Sequence, residues 1–275
     1  MRFTKMNGAG NDFLILDNRE ERLDPDQFPA IARTLCHRRL SIGADGLMVV
    51  EPPRQGGDYR MLFYNADGSA GEMCGNGARC ICRYGYENGL AGERQTVETP
   101  SGLVTGQRID RRSYRIRLTD PTVIDLDRPV EALGRVWPCA YVELGSPGLP
   151  HAAVPCPGLS GKTMDDLRDL GRALRSHPAF PKGANVNFYD VTAPDQIVEL
   201  TYERGVEDFT YACGTGTGSV VLALTLLGQV SGEDVAVSVP GGTLRVTIAD
   251  RKAIWLTGPT NVVCQGEVLD EDLHM

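Results

Sequence analysis

Two short segments carry the residue types for proton chemistry: Cys74-Gly75-Asn76-Gly77 and Cys213-Gly214-Thr215-Gly216. They stand 139 residues apart (213 minus 74), about half of the 275-residue chain, and each opens a segment that reads as a helix. A helix N-terminus presents unsatisfied N–H donors and a partial positive charge, so it binds carboxylate or phosphate and favours the thiolate of a cysteine beside it. Two such termini converging on one small carboxylate would hold it between two sulfur acid/base groups. Inverting an amino-acid α-carbon requires taking a proton from one face and delivering one to the other. A thiolate and a thiol can do both, exchanging roles with the direction of reaction. Backbone donors at the helix ends would stabilise the charge that spreads into the carboxylate as the proton leaves. Neither a metal nor a pyridoxal cofactor is needed for that step.

Other uses of the same residues stay open at this point. A free cysteine is most often buried as a small hydrophobe, and Cys36, Cys80, Cys82, Cys139, Cys156 and Cys264 are assigned to packing. Cys74, Cys80 and Cys82 could hold zinc, although Cys-x-Cys is poor zinc spacing and no histidine lies nearby in the sequence. The run Gly214 to Gly218 could cradle a nucleotide, but it lacks the Gly-Lys-Ser/Thr of a P-loop and has Ser219 where the last glycine of a dinucleotide fold would stand. A thiol-based metal or redox module is therefore the rival of another class. Eight cysteines in 275 residues are too dilute for a disulfide scaffold.

The elements that must position these turns are mostly short strands. Tyr114, Ile116 and Leu118 alternate with arginines; Val235, Val237 and Val239 alternate with Ala236 and Ser238; Leu244, Val246 and Ile248 alternate with Arg245 and Thr247. This period of two belongs to half-buried antiparallel strands, and Pro240-Gly241-Gly242 reads as a hairpin connection. Met164, Leu167, Leu170 and Leu174 mark an amphipathic surface helix, and a second covers Pro29 to Arg39. The two helices behind the cysteine turns differ: Val220 to Leu227 is apolar nearly all round, the mark of burial on every side, and Arg79 to Asn88 stops at Gly89. The half-chain spacing suggests a duplication. Each half is then expected to be a curved, mostly antiparallel sheet wrapped around one central helix, an α+β class, with the boundary near Leu118 to Pro121.

Composition limits the partners. With 28 Lys+Arg against 36 Asp+Glu, the net charge of -8 argues against a general phosphate-backbone binder. No apolar run approaches the roughly 18 residues of a membrane span, and Met1-Arg2-Phe3-Thr4-Lys5 opens no signal pattern, so a cytoplasmic protein is expected. Glycine is abundant, 32 of 275 residues, about 12% against a typical ~7%, and it concentrates around Gly8, Gly68 to Gly77 and Gly214 to Gly218.

In these segments the chain resembles the diaminopimelate epimerases, pyridoxal-independent amino-acid epimerases of bacterial lysine and cell-wall precursor synthesis. The shared motifs run in order: Lys5-Met6-Asn7-Gly8-Ala9-Gly10-Asn11-Asp12-Phe13, Gly43-Ala44-Asp45-Gly46, Tyr64-Asn65-Ala66-Asp67-Gly68-Ser69 and Met73 to Cys80. They continue with Asn185-Val186-Asn187-Phe188, Tyr202-Glu203-Arg204-Gly205, Ala212 to Gly216, Pro240-Gly241-Gly242 and Thr257-Gly258-Pro259. The resemblance implies that Cys74 and Cys213 are the catalytic base and acid. It implies that Asn11, Asn65, Asn185, Glu203 and Arg204 bind substrate, that Gly75-Asn76 and Gly214-Thr215 grip the reacting carboxylate, and that His151 and Glu203 tune the cysteines. It further implies interconversion of LL- and meso-diaminopimelate without cofactor or metal, and a homodimer with no nucleic-acid or membrane partner. Its two pseudo-symmetric domains would be residues 1–118 joined by the tail 262–275, carrying Cys74, and residues 119–261, carrying Cys213.

Two departures bear on the choice of amino acid. Gly148-Leu149-Pro150-His151 stands where the family often has Gly-Asn-Pro-His, after an apparent insertion at Ser146-Pro147. Phe209-Thr210-Tyr211 replaces the usual Glu-Thr before Ala-Cys-Gly. A site built of hydrogen-bond partners discriminates strongly, so the loss of one makes a racemase of another amino acid the nearest rival.

Overall fold

A computed structural model describes residues 1–71, 75–269 and 271–274. It divides into two compact units, Met1–Ile116 with Gly258–Met275, and Arg117–Thr257. The first opens with β1 (Arg2–Gly8), β2 (Asn11–Asp17), a short α1 (Asn18–Glu21) and α2 (Phe28–Leu35). It continues with β3 (Gly46–Glu51), β4 (Tyr59–Asn65), α3 (Gly75–Glu87), β5 (Arg94–Thr99), β6 (Gly102–Arg108) and β7 (Ser113–Arg117). The second contains β8 (Pro121–Ala132), β9 (Arg135–Leu144), β10 (Leu149–Pro155), α4 (Met164–Arg175), β11 (Asn185–Ala193) and β12 (Gln196–Glu203). After these come β13 (Asp208–Thr210), α5 (Gly214–Leu226), β14 (Val235–Val239), β15 (Gly242–Ala249) and β16 (Ala253–Pro259). The chain then returns to the first unit as β17 (Asn261–Glu267), antiparallel to β1.

The two units repeat one topology. In the first, β2 is antiparallel to β1 and parallel to β3, β3 is antiparallel to β4, β4 is parallel to β5, and β5, β6 and β7 form antiparallel hairpins. In the second, β10 is antiparallel to β9 and parallel to β11, β11 is antiparallel to β12, β12 is parallel to β14, and β14, β15 and β16 are antiparallel. The β17–β1 pair corresponds to β8–β9. Parallel neighbours need a crossover, and the crossovers hold α2 and α3 in one unit, α4 and α5 in the other. The class is α+β, mainly antiparallel, with β13 an addition to the second unit.

Helices on both faces of each set of strands bury them twice. Leu14, Leu16, Leu47 and Val49 pack with Phe28, Ile31, Ala32 and Leu35 of α2. Phe13 and Met48, one residue out of step, face α3 instead, where a Cβ on Gly77 would overlap Met48 Cε. In the second unit Val154, Val186, Phe188 and Tyr202 pack with Leu167, Leu170 and Leu174 of α4. Alternation turns the intervening residues of β10, β11 and β12 toward α5.

The amphipathic helix α4 has the expected face and starts at a Thr163 N-cap, in a capping box with Asp166. The hairpin at Pro240-Gly241 joins β14 to β15 as read from the sequence. Three expectations need correction. The helix read over Pro29 to Arg39 ends at Leu35. The burial of α5 stops at Leu224, and Leu227 is 43% exposed. Cys264, assigned to packing, is exposed on β17, whereas Cys36, Cys80, Cys82, Cys139 and Cys156 are buried. Among the described residues no helix is long and apolar enough to cross a membrane.

Candidate active site

Cys213 is the N-cap of α5, in extended conformation, and the Thr217 N–H closes the first helical turn on its carbonyl at 2.9 Å. The helix therefore starts at Gly214, six residues before the apolar run that announces it. Glycine weakens a helix interior by about 1 kcal/mol relative to alanine, so its use here has another cause. A Cβ on Gly216 would overlap Asn187 Oδ1 on β11 and lie 3.3 Å from Cys213 Sγ. The glycine lets the first turn, and with it the thiol, approach the strand.

That approach buries the sulfur. Cys213 is 8% exposed, and burial pushes its thiol well above the ordinary range, with the Glu203 charge adding to the rise. The Thr215 hydroxyl, 3.6 Å from Sγ, and the Gly216 amide pull the other way, while Glu199 again pushes up. The expectation that a helix N-terminus favours thiolate is thus overturned for this cysteine. Desolvation can move a buried group by several pH units, more than one amide and one hydroxyl return. At neutral pH Cys213 is a thiol.

Around it the second unit supplies further groups named from the sequence. Glu203 ends β12 and accepts the Thr210 hydroxyl at 2.8 Å. The Asn185 side chain accepts the Arg204 backbone N–H at 2.9 Å and donates to the Pro150 carbonyl at 3.1 Å, tying β11, β12 and β10 together. The Arg204 guanidinium donates to the Lys182 carbonyl at 2.9 Å. His151 pairs in register with Asn185 and is 1% exposed; neither ring nitrogen has a hydrogen-bond partner among the described residues. Burial, reinforced by the Arg204 charge, lowers its pKa to about 3, so the ring is neutral. Thr215 is partly exposed at the first turn, beside the buried Gly214.

In the first unit Cys74 lies outside the described residues. The helix that follows it begins at Gly75, in the turn expected to open it, and takes in the segment read from Arg79. Asn76, 1% exposed, donates to Asn11 Oδ1 at 2.6 Å and accepts from the Arg79 guanidinium at 2.8 Å; Arg79, fully buried, also donates to the Gly75 carbonyl at 3.3 Å. Gly8 brings β1 against this turn: a Cβ there would lie 2.9 Å from the Asn76 carbonyl oxygen. Asn11 in turn donates to Asp45 at 3.2 Å. Asn65, exposed at the end of β4, donates to the Ser69 hydroxyl at 2.9 Å. So Asn11, Gly75 and Asn76 form one hydrogen-bonded group, with Asn65 held separately.

Sequence reasoning missed the polar layer beneath both turns. Asp12 and Asp45 share Arg38, each at 2.6 Å, and Lys5 reaches Asp12 at 3.1 Å, a network that fixes the loops around Asn11. Under α5, Asn187 accepts the Thr201 hydroxyl at 3.0 Å, and Glu199 accepts the Thr217 hydroxyl at 2.6 Å. Glu199, Thr201 and Glu203 alternate along β12, a pattern that reads as a solvent face until a second helix covers it. The Phe209 ring packs edge-on against Tyr202 at 5.5 Å and near Phe188 at 6.2 Å, against the α4 core. Among the described residues no group of three or more His, Cys, Asp or Glu is arranged to hold a metal ion.

A family model for diaminopimelate epimerase matches residues 3–121 and 145–263. A diaminopimelate epimerase of Methanothrix thermoacetophila is 36% identical over 282 residues, covering 100% of this chain and 98% of its own. Another, of Chlorobaculum tepidum, is 37% identical over 269 residues, covering 96% and 99%. Among solved structures, a probable proline racemase from Agrobacterium radiobacter shares the fold with a TM-score of 0.69 at 20% identity, covering 98% of this chain and 93% of its own. A predicted epimerase from Pseudomonas aeruginosa does so with a TM-score of 0.70 at 15% identity, covering 98% and 99%. By both the matched model and the near full-length relatives, this chain belongs to the diaminopimelate epimerase family.

Proposed function

We propose that this protein interconverts LL- and meso-diaminopimelate by two-base proton transfer between Cys74 and Cys213, without a cofactor, in lysine and cell-wall precursor synthesis. The observation that supports it is the repeated topology, in which each unit has a buried helix that starts at a glycine, Gly75 or Gly214, next in sequence to a cysteine. Family membership supplies the substrate class. Cys213 enters the reaction as the acid: it is a buried thiol, and Glu203 opposes its ionisation. Cys74 is the base for the same direction. Family resemblance supplies that role; of the residues that follow it, the Gly75 carbonyl and the Asn76 side chain accept from the buried Arg79 guanidinium.

In the reverse direction the sulfurs exchange roles. The amides at Gly75-Asn76 and Gly214-Thr215 stabilise the carboxylate as negative charge spreads into it. Asn11, Asn65, Asn185, Glu203 and Arg204 fix the rest of the amino acid. Neutral His151 and Glu203 bias where the proton resides. We extend the reading to a cytoplasmic homodimer, which light scattering of the purified protein tests.

The test of substrate is a panel of amino acids incubated in deuterated water. Deuterium enters the α-position of diaminopimelate, with LL and meso forms reaching equilibrium. Faster exchange with another amino acid and none with diaminopimelate transfers the reaction to that amino acid, the alternative that Leu149 favours by standing at the family's usual asparagine.

A further inference from the structure

Glu199 is buried to 0% exposure on the face of β12 turned toward α5. One carboxyl oxygen accepts the Thr217 hydroxyl at 2.6 Å, and the other has no hydrogen-bond partner among the described residues. Nor does any described lysine or arginine form an ion pair with it. A carboxylate so placed would be an uncompensated buried charge, which proteins avoid by taking up a proton. The residue that holds it is informative: the backbone N–H of Thr217 is also the donor that closes the first turn of α5 on the Cys213 carbonyl. Glu199 thus grips the turn that carries the thiol, from behind.

We propose that Glu199 is a positioning residue for Cys213: as a neutral acid it anchors the first turn of α5 through Thr217, and its ionisation turns the local field against thiolate formation. The ionisable groups sharing this face are Glu203 on β12, Tyr189 in register with Glu199 on β11, His151 on β10 and Cys213 itself; β14, Val235–Val239, contributes none. With no cation in that set, a second negative charge beside Glu203 must disfavour a third at the sulfur. Burial raises the Glu199 pKa to about 8, so the change falls at the alkaline edge of the physiological range. Its catalytic consequence rests on the proton transfer proposed above: the direction in which Cys213 must start as thiolate slows as Glu199 ionises.

The experiment is the rate of Cys213 alkylation by iodoacetamide, read by mass spectrometry of the Cys213 peptide from pH 6 to 10, in the full chain and in Glu199→Gln. Glutamine keeps an acceptor for Thr217 and cannot ionise. The expected result is alkylation about tenfold faster at pH 9 in the variant, the change in thiolate fraction given by about one pH unit in the thiol pKa. Superimposable profiles overturn the proposal. A second readout uses the unsubstituted protein: an infrared band of a protonated, buried carboxyl at pH 6 that titrates away near pH 8. Its absence at pH 6 equally overturns it. Neither readout uses diaminopimelate, so failure of the proposed function would show separately, in the substrate assay.

Discussion

The first turns of α3 and α5 have nearly the same sequence pattern and opposite surroundings. Around the start of α3 the side chains are amides and a buried cation: Asn76 bonds to Asn11, and Arg79 bonds to Asn76 and Gly75. Around the start of α5 they are acids, hydroxyls and a neutral imidazole: Glu203, Glu199, Thr215, Thr217 and His151. A helix N-terminus alone would favour a thiolate in both. The difference teaches that the same glycine-led helix start can sit in a cationic amide setting or in an acidic one, so the groups packed around the turn, and not the turn alone, set the local field there.

The comparison breaks first at Arg79. Arg79→Met removes a fully buried guanidinium and leaves its acceptors without it; equilibrium urea unfolding should show a loss of about 1.5–3 kcal/mol, and, if the charge acts on the proposed base, Cys74 should alkylate more slowly. Unchanged Cys74 reactivity in the folded variant would mean that the cation does not favour the base. Glu203→Gln should act oppositely at the other turn: it removes the negative charge that raises Cys213, so alkylation of Cys213 should rise at a given pH while kcat falls about tenfold, the value of one pH unit of proton affinity. A thiol profile shifted upward would contradict the assignment of Glu203.

Stability against pH sharpens the contrast within the second unit. His151 is neutral in the folded protein down to about 3, whereas in the unfolded chain it protonates below its ordinary 6.5; folded stability is therefore full above 6.5 and falls as pH drops from there. Glu199 has the opposite sign: unfolded, it ionises above 4.5, but folded it stays neutral to about 8, so stability falls as pH rises across that window. Melting temperature should peak between these limits, and Glu199→Gln should flatten the alkaline side. The smallest effect expected is that of Asn11→Ala, which removes the hydrogen bond to Asn76 and should cost about 1 kcal/mol in the same unfolding assay.

Much of this was legible from residues alone. The hairpin strands at 235–249, the amphipathic α4 and the helices behind the two glycine-rich turns follow from spacing, because each reports a local period or turn. That these turns open helices was legible, but not that their glycines already belong to the helix: Gly75 to Gly77 and Gly214 to Gly218 look like loop, and only the close contact of Gly77 with Met48, and of Gly216 with Asn187, shows why glycine occupies a helix there. Glu199 escaped notice for a related reason. Its alternation with Thr201 and Glu203 marks one face of a strand, but whether that face meets water or a second helix depends on a crossover between distant segments. The rise in the Cys213 pKa is likewise a property of burial, which spacing does not report.

The most direct measurement is epimerisation of LL-diaminopimelate in deuterated water by the unsubstituted protein, Cys74→Ala and Cys213→Ala, with each variant's fold checked by circular dichroism. If two sulfurs on opposite faces of one α-carbon transfer the proton, product carries deuterium from the first turnover, and each variant loses turnover by about 10³-fold or more, within the range of acid–base contributions. Turnover at the unsubstituted rate in either folded variant would contradict it.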